Sequence, residues 1–493
     1  MKRLYRILTS SLLGAAVFAF WMWLYPQDIS YQEQNQLFLF TGDYLLQRLS
    51  LPGGLADWLS EFLVQFFYYR MAGALILALL AVLLKRLVWR AARKTDSADQ
   101  RSLYAISFVP SLLMLVYQGN VDVLLSYPVA LVLATALCPP MARARWHNLW
   151  IIPIGWWLIG PVITVPVLYA AIRNRKGPDL LMLGWLLLTA FLEYRLLAPQ
   201  YPARDAFLGI NYYRLVESLP ALQVVIPAVT LLAILLCGLG VRLRHPAAWG
   251  GPAAWGGPAA ILLILGTWIG VQYSYDKDTH EILAYDWLIR HERYADVIRR
   301  AEKYQPQNPV SACSVNFCLF MNGQLEKRLT DFYQCGTEGL VLPSIRDNMS
   351  DITSAEVLWM MGMPNITLQY IFDVQESIQN GRKSGRFFSR IAECNIVNGW
   401  YDRAERYLDI LSHSLFYRKW ALSRKALIQD DAQVAADPVY GYIRQVRFQD
   451  DFITFYDGLD LMMAVLYNQN KNNFMAAQYY TAWQRLKQTE AVQ

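Results

Sequence analysis

Up to Tyr275, apolar runs of about twenty residues alternate with short basic connections, the length that crosses a bilayer as a helix. In hydrocarbon each backbone N–H and C=O must be satisfied within its own segment, so such runs fold as helices. Composition agrees, with 55% of the 493 residues hydrophobic and a mean hydropathy of +0.20. Soluble chains of this size carry fewer apolar residues. Residues 1–275 hold 21 Lys and Arg against 12 Asp and Glu, whereas residues 276–493 hold 24 against 27. The net charge of +6 is therefore a property of the apolar half, where basic loops mark the cytoplasmic face of a membrane protein. No Lys/Arg stripe or base-reading motif accompanies it, so no nucleic-acid partner is expected.

The predicted fold class is all-α: a polytopic transmembrane helical bundle over residues 1–275, then a helical-repeat domain over 276–493. The first span begins with Lys2, Arg3 and Arg6 and ends on bulky aromatics (Trp21, Trp23, Tyr25), with no small-residue cleavage site there. It reads as an uncleaved anchor with a cytoplasmic amino terminus. The next predicted segments are Met71–Trp89, Ser102–Gln118 and Val121–Cys138. Leu149–Ala171 is either one crossing or two short segments broken at Gly160-Pro161. Charge favours the break, because a single crossing would move Arg173, Arg175 and Lys176 to the outside and invert every later loop. Asp179–Ala198, Leu219–Val241 and Ala259–Tyr275 complete nine membrane segments, and place 16 of the 21 basic residues inside. The same count puts the loop 26–70 and the tail outside the cytoplasm, in an inner membrane. Ala247–Pro258 duplicates AAWGGP and reads as a flexible linker.

The tail repeats a pattern in which a turn residue precedes an amphipathic helix. Examples are HERYADVIRRAEKY from His291, NGQLEKRLTDFY from Asn322, PNITLQYIFDV from Pro364 and NGWYDRAERYLDIL from Asn398. Their starts lie about 30 to 40 residues apart, the period of stacked helical hairpins. Tyr401, Ala404 and Leu408 after Asn398-Gly399 resemble the second helix of a tetratricopeptide repeat, so the tail is TPR-like and suited to binding a periplasmic protein partner. Four tail cysteines (Cys313, Cys318, Cys335, Cys394) allow three disulfide pairings, and no C-x-x-C pair suggests zinc.

Candidate chemistry concentrates on the outer side. Asp28 and Glu33 open the long loop, where a carboxylate can act as a base or hold a divalent metal. The loop's later parts, Gly42–Gln47 and Ala56–Tyr69, have the spacing of amphipathic helices lying on the membrane surface. Glu193 and Arg195 sit high in a span, where ionisable groups are functional, paired or snorkelling. Arg204, Asp205, Tyr212 and Arg214 in the next outer loop are suited to a phosphate, a sugar or a lipid headgroup. No P-loop, G-x-S-x-G or H-E-x-x-H is present, and no cofactor is identified.

The strings YQEQNQLFLF, LPGGLADWLSEFLVQFFYY and NGWYDRAERYLDIL…FYRKWA resemble an uncharacterised family of bacterial multi-pass membrane proteins with helical-repeat tails. More distantly, a long first outer loop with an acidic residue beside the first span is similar to the GT-C class of membrane glycosyltransferases. That similarity implies a polyprenyl-phosphate-linked sugar donor, with Asp28 or Glu33 as base or metal ligand. Asp28 and Glu33 are separated by four residues here, where those enzymes carry an Asp-Glu or Asp-x-Asp pair. Two functions are therefore expected as alternatives: a partner-binding membrane protein in cell-envelope assembly, or a GT-C-like transferase.

Overall fold

A computed structural model describes residues 2–92, 104–143, 146–174, 177–197, 202–209, 221–239, 252–343, 348–378, 382–448 and 458–492. Every regular element among them is helical. Two compact units divide the chain. One comprises Met1–Glu33 with Thr41–Asp276, and the other comprises Gln34–Phe40 with Lys277–Gln493. The tail unit takes in Gln34–Phe40, a piece of the long loop after the first span.

In the first unit, α1 (Lys2–Ala19) leads through a π-turn into α2 (Pro26–Gln34), and α3 (Gly42–Leu49) and α4 (Gly54–Val64) follow. Then come α5 (Arg70–Ala92), α6 (Val109–Tyr117), α7 (Ser126–Arg143), α8 (Asn148–Ile159), α9 (Thr164–Asn174) and α10 (Gly177–Leu197). Short α11 (Ala203–Leu208) precedes α12 (Ala221–Leu239) and α13 (Pro252–Ser274). The linker expectation for 247–258 is corrected over 252–258, which open α13; Pro252 fits the first helical position because its missing N–H costs nothing there.

Among the described residues, four stretches are long and apolar enough to cross a membrane: Leu4–Leu24, Arg70–Ala92, Asn148–Asn174 and Ala221–Gly238. That is fewer than the nine segments expected. Tyr104–Tyr117 and Ala260–Ser274 are apolar but short, and α7 carries Pro139, Pro140 and Arg143 in its last turns. A 14-residue helix rises about 21 Å, less than the ~30 Å of hydrocarbon.

Asn148–Asn174 is not one rod. Gly160 has φ +76°, and a short 3-10 turn over Gly160–Ile163 separates α8 from α9. A Cβ added to Gly155 would lie 2.7 Å from Ile163 Cδ1. In a straight helix those two residues would be about 12 Å apart along the axis. Asn148 Nδ2 donates to Met141 O (2.9 Å) and Asn174 Nδ2 donates to Ala142 O (3.0 Å). The pair α8–α9 therefore begins and ends at the same end of α7. It is an out-and-back hairpin that turns at Gly160-Pro161.

The remaining contacts sort helix ends in the same way. Lys85 meets Ser10, Tyr169 Oη donates to Ala91 O (2.7 Å), and the Gly238 Cα faces Ala92 O. Arg6, Lys85, Arg143 and Arg173 belong to that end. At the other, Ser274 Oγ donates to Val116 O (2.5 Å), and the Tyr25 and Tyr275 rings lie 4.4 Å apart. Tyr117 Oη donates to Gln223 Oε1 (3.0 Å), and Tyr127 Oη donates to Gln223 O (2.9 Å).

The second unit is a run of helical hairpins: α14 (Lys277–Arg290) with α15 (Tyr294–Lys303), α16 (Pro309–Met321) with short α17 (Leu325–Arg328), α18 (Asn348–Met360) with α19 (Pro364–Ser377), and α20 (Gly385–Val397) with α21 (Tyr401–Ser412). Helices α22 (Arg418–Leu427), α23 (Asp431–Ala436) and α24 (Pro438–Val446) follow, then a last hairpin of α25 (Leu459–Gln469) and α26 (Phe474–Val492). All six cysteines are free thiols, and Cys313, Cys318 and Cys394 are buried.

The first four hairpins turn by one mechanism. Glu292, Gly323, Gly362 and Gly399 each have positive φ. Each donates its N–H to the carbonyl three residues back, and the following residue donates five back, as in Gly399 N to Ile396 O and Trp400 N to Asn395 O. This is the Schellman closure of a helix carboxy terminus. It explains why each repeated string starts where it does. Glu292 alone fills the position with a side chain, at φ +55°. A left-handed conformation costs an L residue roughly 1–2 kcal/mol. Glu292→Gly is expected to stabilise the tail by about 1 kcal/mol, and Gly399→Ala, whose Cβ would meet open space, to destabilise it by a similar amount. Thermal unfolding of the full chain in detergent, read by protease susceptibility of the tail, checks both signs.

Candidate functional site

The long loop divides into three pieces with different surroundings. The first is α2. Pro26 occupies its first position, and Asp28 lies in its first turn, where a carboxylate favours the positive helix end. Asp28 is 2% exposed and Glu33 is also buried. Five residues apart on a helix, they are rotated by about 140° and point to different sides. Asp28 lies within charge range of Tyr25 and Tyr275. Gln32, between them, donates to Val123 O (3.5 Å).

The second piece is α3–α4, helical where the spacing predicts it, with Arg48, Asp57 and Glu61 buried. Gly53 N donates to Trp157 O (2.7 Å) and Trp157 Nε1 donates to Leu49 O (2.9 Å), so α4 packs on α8. Its buried face carries Asp57, Ser60 and Glu61 as well as Ala56 and Val64. Arg48 Nε donates to Glu61 Oε2 (2.9 Å), Arg48 Nη2 donates to Tyr44 Oη (3.3 Å), and Tyr44 Oη donates to the same carboxylate. Burial alone would discourage the Arg48 charge, but Glu61 and Tyr44 hold it firmly protonated. Pro52-Gly53-Gly54 makes this possible: Gly53 has φ +75°, and a Cβ on Gly54 would stand 1.9 Å from Arg48 O. Only glycine lets α4 start against the last turn of α3.

The third piece is the strap Gln34–Phe40, which belongs to the tail unit. Leu37 N donates to Lys383 O (2.8 Å) and Phe40 N donates to His413 O (2.9 Å). Arg382 Nη1 donates to Gln36 Oε1 (3.0 Å), and Arg386 Nη1 donates to Gln34 Oε1 (2.7 Å). Pairing 34 with 386 and 36 with 382 runs the two segments in opposite directions. Leu37, Phe38 and Leu39 are buried.

Below the strap lies a charged network. Arg386 reaches Asp286 (2.9 Å) and Glu356 (3.3 Å), and Arg390 reaches Glu356 (2.7 Å) and Glu393 (2.9 Å). Burial raises the Glu356 carboxyl, but Arg390 and Arg386 outweigh it and hold the group below the usual carboxylate range. At Glu393 burial prevails, and the carboxyl sits above that range. Arginine's planar fork suits such shared carboxylates. Isolated charges in the sequence gave no sign of this network, because its members come from three helices.

The other predicted site residues do not assemble here. Glu193 is 8% exposed on α10, on the same face as buried Leu186, Thr189 and Ala190, whereas Arg195 is exposed. Arg204 is exposed on α11, which also carries Asp205. Tyr212 and Arg214 lie outside the described residues. Among the described residues no group of three or more His, Cys, Asp or Glu side chains converges as a metal site. An apolar cavity between α1, α5, α6 and α7, lined by Val17, Leu77, Leu84, Met114 and Val132, has a volume of about 10 Å³, room for one water.

A family pattern covers residues 2–488, hence both units and the strap. The chain belongs to DUF6057, a family of unknown function. No curated protein and no solved structure matches it. This DUF6057 chain thus draws its strongest built features, the strap and the network beneath it, from its own packing rather than from any named relative.

Proposed function

We propose that this is an inner-membrane protein with nine membrane segments, two of them the re-entrant pair, whose extracytoplasmic tail binds a protein partner in cell-envelope assembly. The observation that carries the reading is the run of hairpins closed by one repeated turn, a construction that stacks into an extended binding surface. Tetratricopeptide-like packing is the arrangement proposed for it. The strap supports the topology. Gln34–Phe40 follows the first span after α2 and is part of the tail unit, which favours loop and tail on one side of the membrane. The gathering of Arg6, Lys85, Arg143 and Arg173 at one bundle end supports making that end cytoplasmic.

The transferase alternative gains nothing from α2, where Asp28 and Glu33 are buried on different sides of one helix. Two experiments test the favoured reading. A reporter fused after Gln493 is expected to be active only as a periplasmic reporter, and activity of a cytoplasmic one would refute the topology. A chain ending at Tyr275 is expected to lose complementation of a deletion phenotype, whereas Asp28→Asn with Glu33→Gln retains it. Full complementation by the truncated chain would remove the partner-binding reading.

A further inference from the structure

The basic end of the bundle holds a lysine with no counter-charge. Lys85, in α5, is 2% exposed. Its Nζ donates to Ser10 Oγ (2.9 Å) and to Tyr104 Oη, and lies 4.2 Å from the Tyr104 ring centre and 4.6 Å from that of Phe108. Ser10 in turn donates to Arg6 O (2.7 Å). The hydroxyls fix the ammonium but bring no negative charge. The ionisable groups beside it are Arg6 and Arg86, both cations, and the buried Cys237 thiol, which is neutral as long as it keeps its proton. Arg6 itself rests over the Trp89 ring at 5.2 Å. No Lys or Arg of this group forms an ion pair with an Asp or Glu among the described residues. In sequence the nearest upstream acid is Glu61 and the nearest downstream is Asp96, so α5 and the start of α1 supply none.

A buried ammonium without a partner is costly, and two further cations beside it raise the cost. An anion removes it. Lys85 lies fifteen residues into α5, about 22 Å from Arg70, and its long stem reaches further toward the end of the span, where phosphates of a lipid leaflet lie. Basic clusters between helices at the cytoplasmic face select anionic headgroups. We propose that Lys85, Arg6 and Arg86 form a binding site for the phosphate of an anionic phospholipid, with Ser10 and Tyr104 holding the lysine in position and Trp89 backing Arg6.

The test uses the full chain, delipidated in detergent, with phosphatidylglycerol, phosphatidylcholine or inorganic phosphate added, and reads the unfolding midpoint and the phosphorus retained per chain. Phosphatidylglycerol is expected to raise the midpoint and to be retained, while phosphatidylcholine does neither. Lys85→Met is expected to lose the shift and weaken retention at least tenfold, yet to unfold no earlier than the parent without lipid, because it removes a buried charge. Arg6→Gln, at the half-buried rim, is expected to lose most of the shift and serves if Lys85→Met does not fold. An unchanged phosphatidylglycerol shift in both variants would overturn the site. A full shift with inorganic phosphate alone would overturn the lipid as its source, and equal shifts with both lipids would overturn headgroup selection.

Discussion

Phe38→Ala is expected to destabilise the tail by about 3–5 kcal/mol, although the substitution lies in the loop after the first span. Deleting a buried phenylalanine removes its transfer free energy and leaves a cavity. Phe38 is 3% exposed between Leu37 and Leu39, which are also buried, and the strap is tied on either side by the Leu37 and Phe40 N–H groups. Rigid helix packing around such a segment limits how far the site can collapse. Pulse proteolysis of the full chain, scored by cleavage within residues 277–493, measures the effect. A tail as resistant as the parent's would mean that the strap is a passenger.

Arg386→Met is expected to cost a similar 3–5 kcal/mol, for a different reason. The guanidinium bonds Asp286, Glu356 and Gln34 at once. Methionine fills much of the volume but leaves buried carboxylates facing no charge, and breaking a buried ion pair on one side is far worse than replacing both sides. Arg390 still covers Glu356, so the uncompensated group is Asp286. Adding Asp286→Leu should therefore recover much of the loss, which a double-mutant cycle on unfolding midpoints measures. No recovery would show that the ion pair is incidental to the fold.

The parts of this chain that follow local rules could be read from its letters. Asn398-Gly399 marks a helix end because only glycine is comfortable at positive φ, and the string that follows is a helix of the second kind in each hairpin. Gly160-Pro161 marks a backbone break in the same way, and α8 and α9 fold back on each other there. Neither rule reaches the strap. YQEQNQLFLF looks like an amide-rich loop running into an apolar patch, and nothing near it states that its partners are Arg382 and Arg386. The Arg48–Glu61 pair failed for a related reason. Helical periodicity marks α3 and α4 but does not pair Arg48 with Glu61, which the close start allowed by Gly54 brings together. Glu193 was picked out by depth alone, and its position on the buried face of α10 gives that depth a direction.

The strap also sets a timetable for biosynthesis. Gln36 and its partner Arg382 are 346 residues apart. At synthesis rates of about 5–20 residues per second, Leu37–Phe40 waits for roughly 20–70 s before the surface that covers it exists. A short, uncharged Leu-Phe-Leu-Phe run is the kind of segment that pairs with other chains when left bare. The first three hairpins of the tail are made during that interval. A late step of maturation is thus the capture of one of the first segments made, and a holding partner or the bilayer surface would cover it until then.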